Sequence, residues 1–103
     1  YVEFKCSYIS NDGWTLLQLR PYQSIHRYDI LLIDDKYNHT LYKIPKENME
    51  DLIKKYGGAC HGTQESNILN TNIEYRMGIQ KTMLHEFERY KSETTTETNG
   101  KFF

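Results

Sequence analysis

Cysteine and proline are scarce: two of each, Cys6 and Cys60, Pro21 and Pro45, in 103 residues. Two cysteines make no disulfide framework, and the plain reading is a pair of reduced thiols in a cytoplasmic protein. Long apolar runs are missing too. No stretch approaches the roughly 20 residues that span a bilayer, and no signal-peptide pattern is visible, so no membrane partner is expected. A charge excess is also absent: 13 basic residues meet 14 acidic ones, for a net charge of −1. Bulk charge therefore announces no nucleic-acid partner, and any phosphate contacts would have to come from local clusters. The candidates are Arg20 with Arg27 and Lys54 with Lys55; the competing reading of each is solvated surface charge.

Several catalytic patterns are missing as well. There is no glycine-rich phosphate loop and no serine or cysteine triad. Cys60-His61 with Cys6 lacks metal-ligand spacing. His85-Glu86 opens like a zinc-protease motif, but Arg89 stands where the second histidine belongs. What is present suffices for a core: 38% hydrophobic and 14% aromatic residues exclude wholesale disorder.

Residues 1–6 read as a strand, and Ser10-Asn11-Asp12-Gly13 as a turn. Residues 14–20 form a second strand, with Thr15, Leu17 and Leu19 on one face and Trp14, Leu16, Gln18 and Arg20 on the other; Pro21 ends it. Ile30-Leu31-Leu32-Ile33 is apolar on both faces, the mark of a central strand covered on both sides. After the polar turn 34–39, residues 40–44 return as a strand. Pro45 suits the first turn of a helix through about Tyr56. Met49, Leu52, Ile53 and Tyr56 make its apolar stripe. Acidic residues come early, Lys54 and Lys55 late, and Gly57-Gly58 follows as the stop.

Residues 57–72 are polar, glycine-bearing and without period; a connection of that length points to function or disorder. A strand over 73–77, a second helix over 79–91 and a Thr/Glu tail over 92–103 complete the reading. In that helix Ile79, Met83, Phe87 and Tyr90 share a side. Residues 1–91 are then one α/β domain with a mixed sheet flanked by helices.

The opening strand carries Glu3 and Lys5 two apart, so both side chains leave one face, with Val2, Phe4 and Cys6 expected to pack on the other. Folding does not ask for a carboxylate and an ammonium there. Metal-assisted phosphodiester hydrolysis does: a carboxylate ligates Mg²⁺ while a lysine assists the attacking water and stabilises phosphate charge. The plain alternative is an exposed ion pair on an edge strand. Gln18, on the next strand, could share the Glu3 face.

The E-x-K strand, the strands after it and the flanking helix resemble the catalytic half of the PD-(D/E)XK nuclease superfamily, the restriction-endonuclease-like fold, over roughly residues 1–56. The resemblance implies a DNA-cleaving enzyme of type II restriction systems, with Glu3 as ligand of Mg²⁺, Lys5 assisting water and Gln18 in support. It also implies a first carboxylate upstream of Glu3. With Tyr1 in place of an initiating Met, the expectation is the C-terminal portion of a larger domain, inactive alone. Its partners would be double-stranded DNA and either a missing N-terminal portion or a second copy in a homodimer. Arg20 and Lys55 would meet phosphates. In the polar loop His61, Thr63, Gln64 and Asn67 are the search region for base contacts, since Asn and Gln can pair with adenine in the major groove.

Two alternatives stand beside this. One is a second D-x-K, Asp34-Asp35-Lys36, with Asp29 as its upstream acid, although turn residues are poorly held for metal catalysis. The other is a non-catalytic nucleic-acid-binding or assembly module, such as a phage-derived one, in which the sheet is only a scaffold.

Overall fold

The computed structural model describes residues 1–20, 24–59 and 74–95. His61, Thr63, Gln64 and Asn67, with most of the 57–72 loop and the end of the tail, lie outside the described residues. No helix among the described residues is long and apolar enough to cross a membrane.

The architecture is α/β, with one mixed sheet, one antiparallel sheet and one α-helix among the described residues. The mixed sheet runs β1 (Val2–Tyr8), β3 (Arg27–Ile33), β4 (His39–Pro45), β7 (Lys91–Thr95). β1 lies parallel to β3, and the other neighbours are antiparallel. The second sheet runs β2 (Gly13–Leu19), β6 (Tyr75–Gln80), β5 (Gly57–Ala59). As its two-faced apolar run requires, β3 is central, and Ile30, Leu31, Leu32 and Ile33 are all buried.

The core fills the space between the two sheets. Tyr28, Ile30 and Leu32 come from β3, Tyr42 and Ile44 from β4, and Trp14, Leu16, Leu19, Tyr75, Met77 and Ile79 from the second sheet. The helix α1 (Lys46–Tyr56) adds Met49, Leu52 and Ile53, the stripe its spacing predicts. Pro45 sits one residue ahead of that helix, in extended backbone. Gly57 ends it, but with extended rather than left-handed backbone, and leads straight into β5. A Cβ there would lie 2.7 Å from Ile53 O and 2.9 Å from Arg76 O, so the close approach of two backbones demands glycine.

The turn after β1 has Asn11 and Asp12 both at positive φ. Ser10 and Gly13 exchange backbone hydrogen bonds across it, the pattern of a primed hairpin turn. The strands it joins then part company, one to each sheet. Thr15 N donates to Ser7 Oγ (3.2 Å) and holds β2 near β1, while Trp14 Nε1 donates to Ile33 O (3.0 Å) and ties β2 to the end of β3.

Three expectations need correction. Residues 79–91 form no α-helix: Tyr75, Met77 and Ile79 alternate inward along β6. Two short 3₁₀ turns, Lys81–Glu86 and Glu88–Tyr90, then bracket the buried Phe87. Phe87 meets Tyr42 edge-on, ring centroids 5.7 Å apart, which anchors this segment to the core. Lys91–Thr95 pair with β4, so a strand reaches into the segment expected to be tail.

The third correction concerns β1. Its apolar face is turned outward: Phe4 is 57% and Tyr8 64% exposed, and Cys6 is exposed as well. Glu3, Lys5 and Ser7 stand in register with Tyr28, Ile30 and Leu32, on the side that faces the second sheet. The physical reason lies in β3, whose Tyr28, Ile30 and Leu32 must fill the core. A parallel neighbour in that register takes its inward face from the partner's phase, whatever its own pattern prefers.

Candidate functional site

Glu3 and Lys5 line a cleft of about 320 Å³ with Tyr1, Gln18, Arg20 and Glu74. Four residues singled out from sequence, Glu3, Lys5, Gln18 and Arg20, thus come together. They come from different segments: β1 supplies Glu3 and Lys5, with Tyr1 just before it; β2 supplies Gln18, with Arg20 just after it; and Glu74 leads into β6.

On β1, Lys5 Nζ lies 3.5 Å from Glu3 Oε1, with side-chain exposures of 19% and 26%. Tyr1 Oη donates to Glu3 Oε2 at 3.2 Å. One carboxylate oxygen therefore faces an ammonium partly withdrawn from water, and the other the phenol of the exposed Tyr1. An ion pair in that setting interacts more strongly than one on open surface. Beneath it, Tyr28 is fully buried in register with Glu3, and its hydroxyl points to Arg20 O at 3.5 Å. Burial, then the nearby carboxylates of Glu50 and Glu3, push the Tyr28 phenol well above the ordinary tyrosine range, so it stays neutral.

Gln18 reaches the cleft through a defect in β2. Leu16 pairs with Met77, but Leu19 pairs with Tyr75, so the strand carries one extra residue at this point. Gln18 has φ 55° there. A bulge of this kind bends the strand and re-aims side chains, and its left-handed backbone is unfavourable for a residue other than glycine. It also explains why Leu16 and Leu19 are both buried while Leu17 and Gln18 are exposed, where regular alternation predicts Leu17 and Leu19 on one face. Unfavourable backbone of this sort clusters at functional sites.

Arg20 is the next residue outward. With Leu19 opposite Tyr75, Arg20 falls opposite Glu74, and the two form an ion pair that lines the cleft. Glu74 is the participant that sequence reasoning missed. The signal was its position before the Tyr75-Arg76-Met77-Gly78-Ile79-Gln80 alternation, which makes it an edge residue, but only the register shows what it faces.

The other candidates lie apart. Lys55 lines a separate groove of about 680 Å³ between α1 and the 3₁₀ turns. Its Nζ lies 3.0 Å from Glu86 Oε1 and 5.1 Å from the Tyr56 ring centroid. His85, Glu86 and Arg89, the near-match to a zinc motif, line the same groove, and His85 Nδ1 lies 2.8 Å from Thr82 O. The Asp34-Asp35-Lys36 alternative is a turn: Asp34 accepts from Lys36 N, Asn38 N and Asn38 Nδ2 at 2.9, 2.9 and 3.0 Å. Partial burial opposes ionisation of Asp34, but the bonds from Asn38 and Lys36 outweigh it and hold its carboxyl below the usual range. Asp29, its proposed partner acid, makes a two-point ion pair with Arg27 (2.8 and 3.2 Å). Both acids are committed to structural bonds.

No group of three or more His, Cys, Asp or Glu side chains gathers as a metal centre among the described residues. Comparison with known proteins finds no matching family model, no matching curated protein and no matching solved structure.

Proposed function

We propose that the cleft between β1 and the bulged end of β2 is a phosphodiester-hydrolysing site acting on double-stranded DNA, of the type II restriction-endonuclease kind. The observation that carries this reading is the meeting of Glu3, Lys5 and Gln18 with Arg20 and Glu74 in one concave, partly buried space.

The donor set suits Mg²⁺, a hard cation that takes oxygen ligands and is commonly held by one or two carboxylates together with substrate phosphate oxygens. Glu3 and Glu74 would hold it. Bound there, it would polarise the phosphoryl oxygen and favour ionisation of a water. The chain's own residues supply the rest. Lys5 sets a positive charge beside Glu3, where charge develops on the phosphate, and no reorganisation is needed to place it. Gln18, pinned by the bulge, offers a donor and an acceptor to orient a water. Arg20 presents a planar guanidinium suited to a phosphate's oxygens. Tyr28, buried in register with Glu3 on the neighbouring strand, stays neutral and adds no charge to this set.

A second reading, a non-catalytic module, draws on one observation: Glu3 is engaged by Lys5 and Tyr1, and Arg20 by Glu74, so the cleft's charges compensate one another. The deciding experiment is Mg²⁺-dependent cleavage of plasmid DNA by the full chain and by its Lys5→Ala variant. Loss of cleavage with duplex binding retained supports the hydrolytic site. Cleavage by the variant at the wild-type rate removes the hydrolytic role from this cleft, and duplex binding without cleavage by the unmutated protein favours the non-catalytic module.

A further inference from the structure

Arg20 and Glu74 belong to no single element. They stand just beyond the last β2–β6 pair, Leu19 with Tyr75, and line the same cleft as Glu3 and Lys5. Their side chains are 46% and 25% exposed. The half-exposed Arg20 guanidinium is open to competition from water, which weakens the pair. A guanidinium fork fits a phosphate as well as it fits a carboxylate.

We infer that the Arg20–Glu74 ion pair is an exchangeable latch: a phosphate oxyanion entering the cleft takes the place of Glu74 on the Arg20 guanidinium. This deepens the phosphodiester-site reading and rests on it. The exchange has an electrostatic consequence. The cleft holds two cationic side chains, Lys5 and Arg20, and two carboxylates, Glu3 and Glu74. Phosphate binding turns this balanced set net anionic and leaves the Glu74 carboxylate in the space it shares with Glu3. Anion binding at one end then favours a cation at the other, and by linkage the cation favours the anion equally.

The test needs no metal and no cleavage, so its failure is separate from failure of the hydrolytic reading. Binding of a short fluorescent DNA duplex is measured in chelator at low salt for the full chain and for Glu74→Gln, Arg20→Ala and the double variant. Removing the competing carboxylate should tighten binding by about three- to fivefold, the scale of an exposed ion pair. Arg20→Ala should weaken binding, and the double variant should match Arg20→Ala, because without the guanidinium there is nothing left to compete for. No gain in Glu74→Gln overturns the latch. A gain that persists in the Arg20→Ala background also overturns it, since that is a general effect of net charge.

The same order of affinities for inorganic phosphate would make a free oxyanion sufficient; the order seen with the duplex alone would make the strand phosphodiester the occupant. Thermal melts of each variant exclude a folding defect. In the unmutated protein, the Glu74 carboxyl carbon resonance should move on adding duplex; a resonance that stays in place counts against the exchange.

Discussion

Lys5 Nζ stands 3.5 Å from Glu3 Oε1 on the inward side of a strand whose aromatic side faces water. An arrangement that hides charge and exposes Phe4 and Tyr8 is the reverse of what burial alone favours. The register against β3 imposes it, and the proposed hydrolytic site would make use of it. Lys5→Ala should then lower Mg²⁺-dependent cleavage by about a hundredfold or more, the cost of losing one preorganised charge-stabilising group. Glu3→Ala should in addition weaken cation binding, which calorimetry with Mg²⁺ measures directly. Equal cation affinity in Glu3→Ala and wild type would remove Glu3 from the ligand set.

Gln18→Gly separates stability from activity. Glycine adopts the left-handed backbone of the bulge without strain, so the variant should be as stable as the wild type or more so, by up to about 1 kcal/mol. The same change deletes the amide from the cleft, and cleavage should fall. Thermal melting and a cleavage assay on one preparation test both halves. A clear loss of stability would mean that the Gln18 side chain, and not its backbone, maintains the bulge.

The buried phenols make stability fall in alkali. Burial, followed by the neighbouring carboxylates, raises the pKa of Tyr28 in the folded protein; burial, followed by Glu88, raises that of Tyr42. A folded-state pKa above the unfolded value contributes stability that is intact below the unfolded tyrosine pKa of about 10 and is lost as pH rises beyond it. Denaturant midpoints should therefore hold steady up to about pH 10 and drop above it. Tyr28→Phe should soften that drop without abolishing it, because Tyr42 remains. An unchanged slope in Tyr28→Phe would refute the assignment.

Gly57→Ala should destabilise the protein by about 1–3 kcal/mol, the usual cost of forcing a methyl group into packed surroundings. Here the obstacle is backbone, Ile53 O and Arg76 O, and it cannot swing aside. Gly58, with open space around the position of its would-be Cβ, should accept alanine with little change. Urea unfolding of the two variants side by side checks the contrast.

On the outer face of β1, Phe4→Ser with Tyr8→Ser should change the melting temperature little, since both side chains are largely exposed. β1 is an edge strand among the described residues, and an apolar edge strand invites pairing with other chains. The double variant should therefore stay monomeric to higher concentration in light scattering. A large loss of stability would show these rings to be covered in the folded protein.

Local pattern was enough for much of this fold. Asn11-Asp12-Gly13 specifies a turn because few residues tolerate positive φ. The run over 30–33 is a central strand because no face of it can bear water. Met49, Leu52 and Ile53 form the buried side of α1 because 3.6 residues close a turn. The shared face of Glu3 and Lys5 follows from the two-residue period of a strand. What a strand's own pattern does not contain is which face its neighbour allows inward. The register against β3 settled that for β1, and it put the charges in and the aromatics out. The bulge at Gln18, the continuation through Gln80 of the strand expected over 73–77, where a helix was expected to begin, and the meeting of Arg20 with Glu74 depend likewise on pairing between distant segments. In each case the free energy lies in a contact between two segments and in neither one alone, so only the assembled sheets decide it.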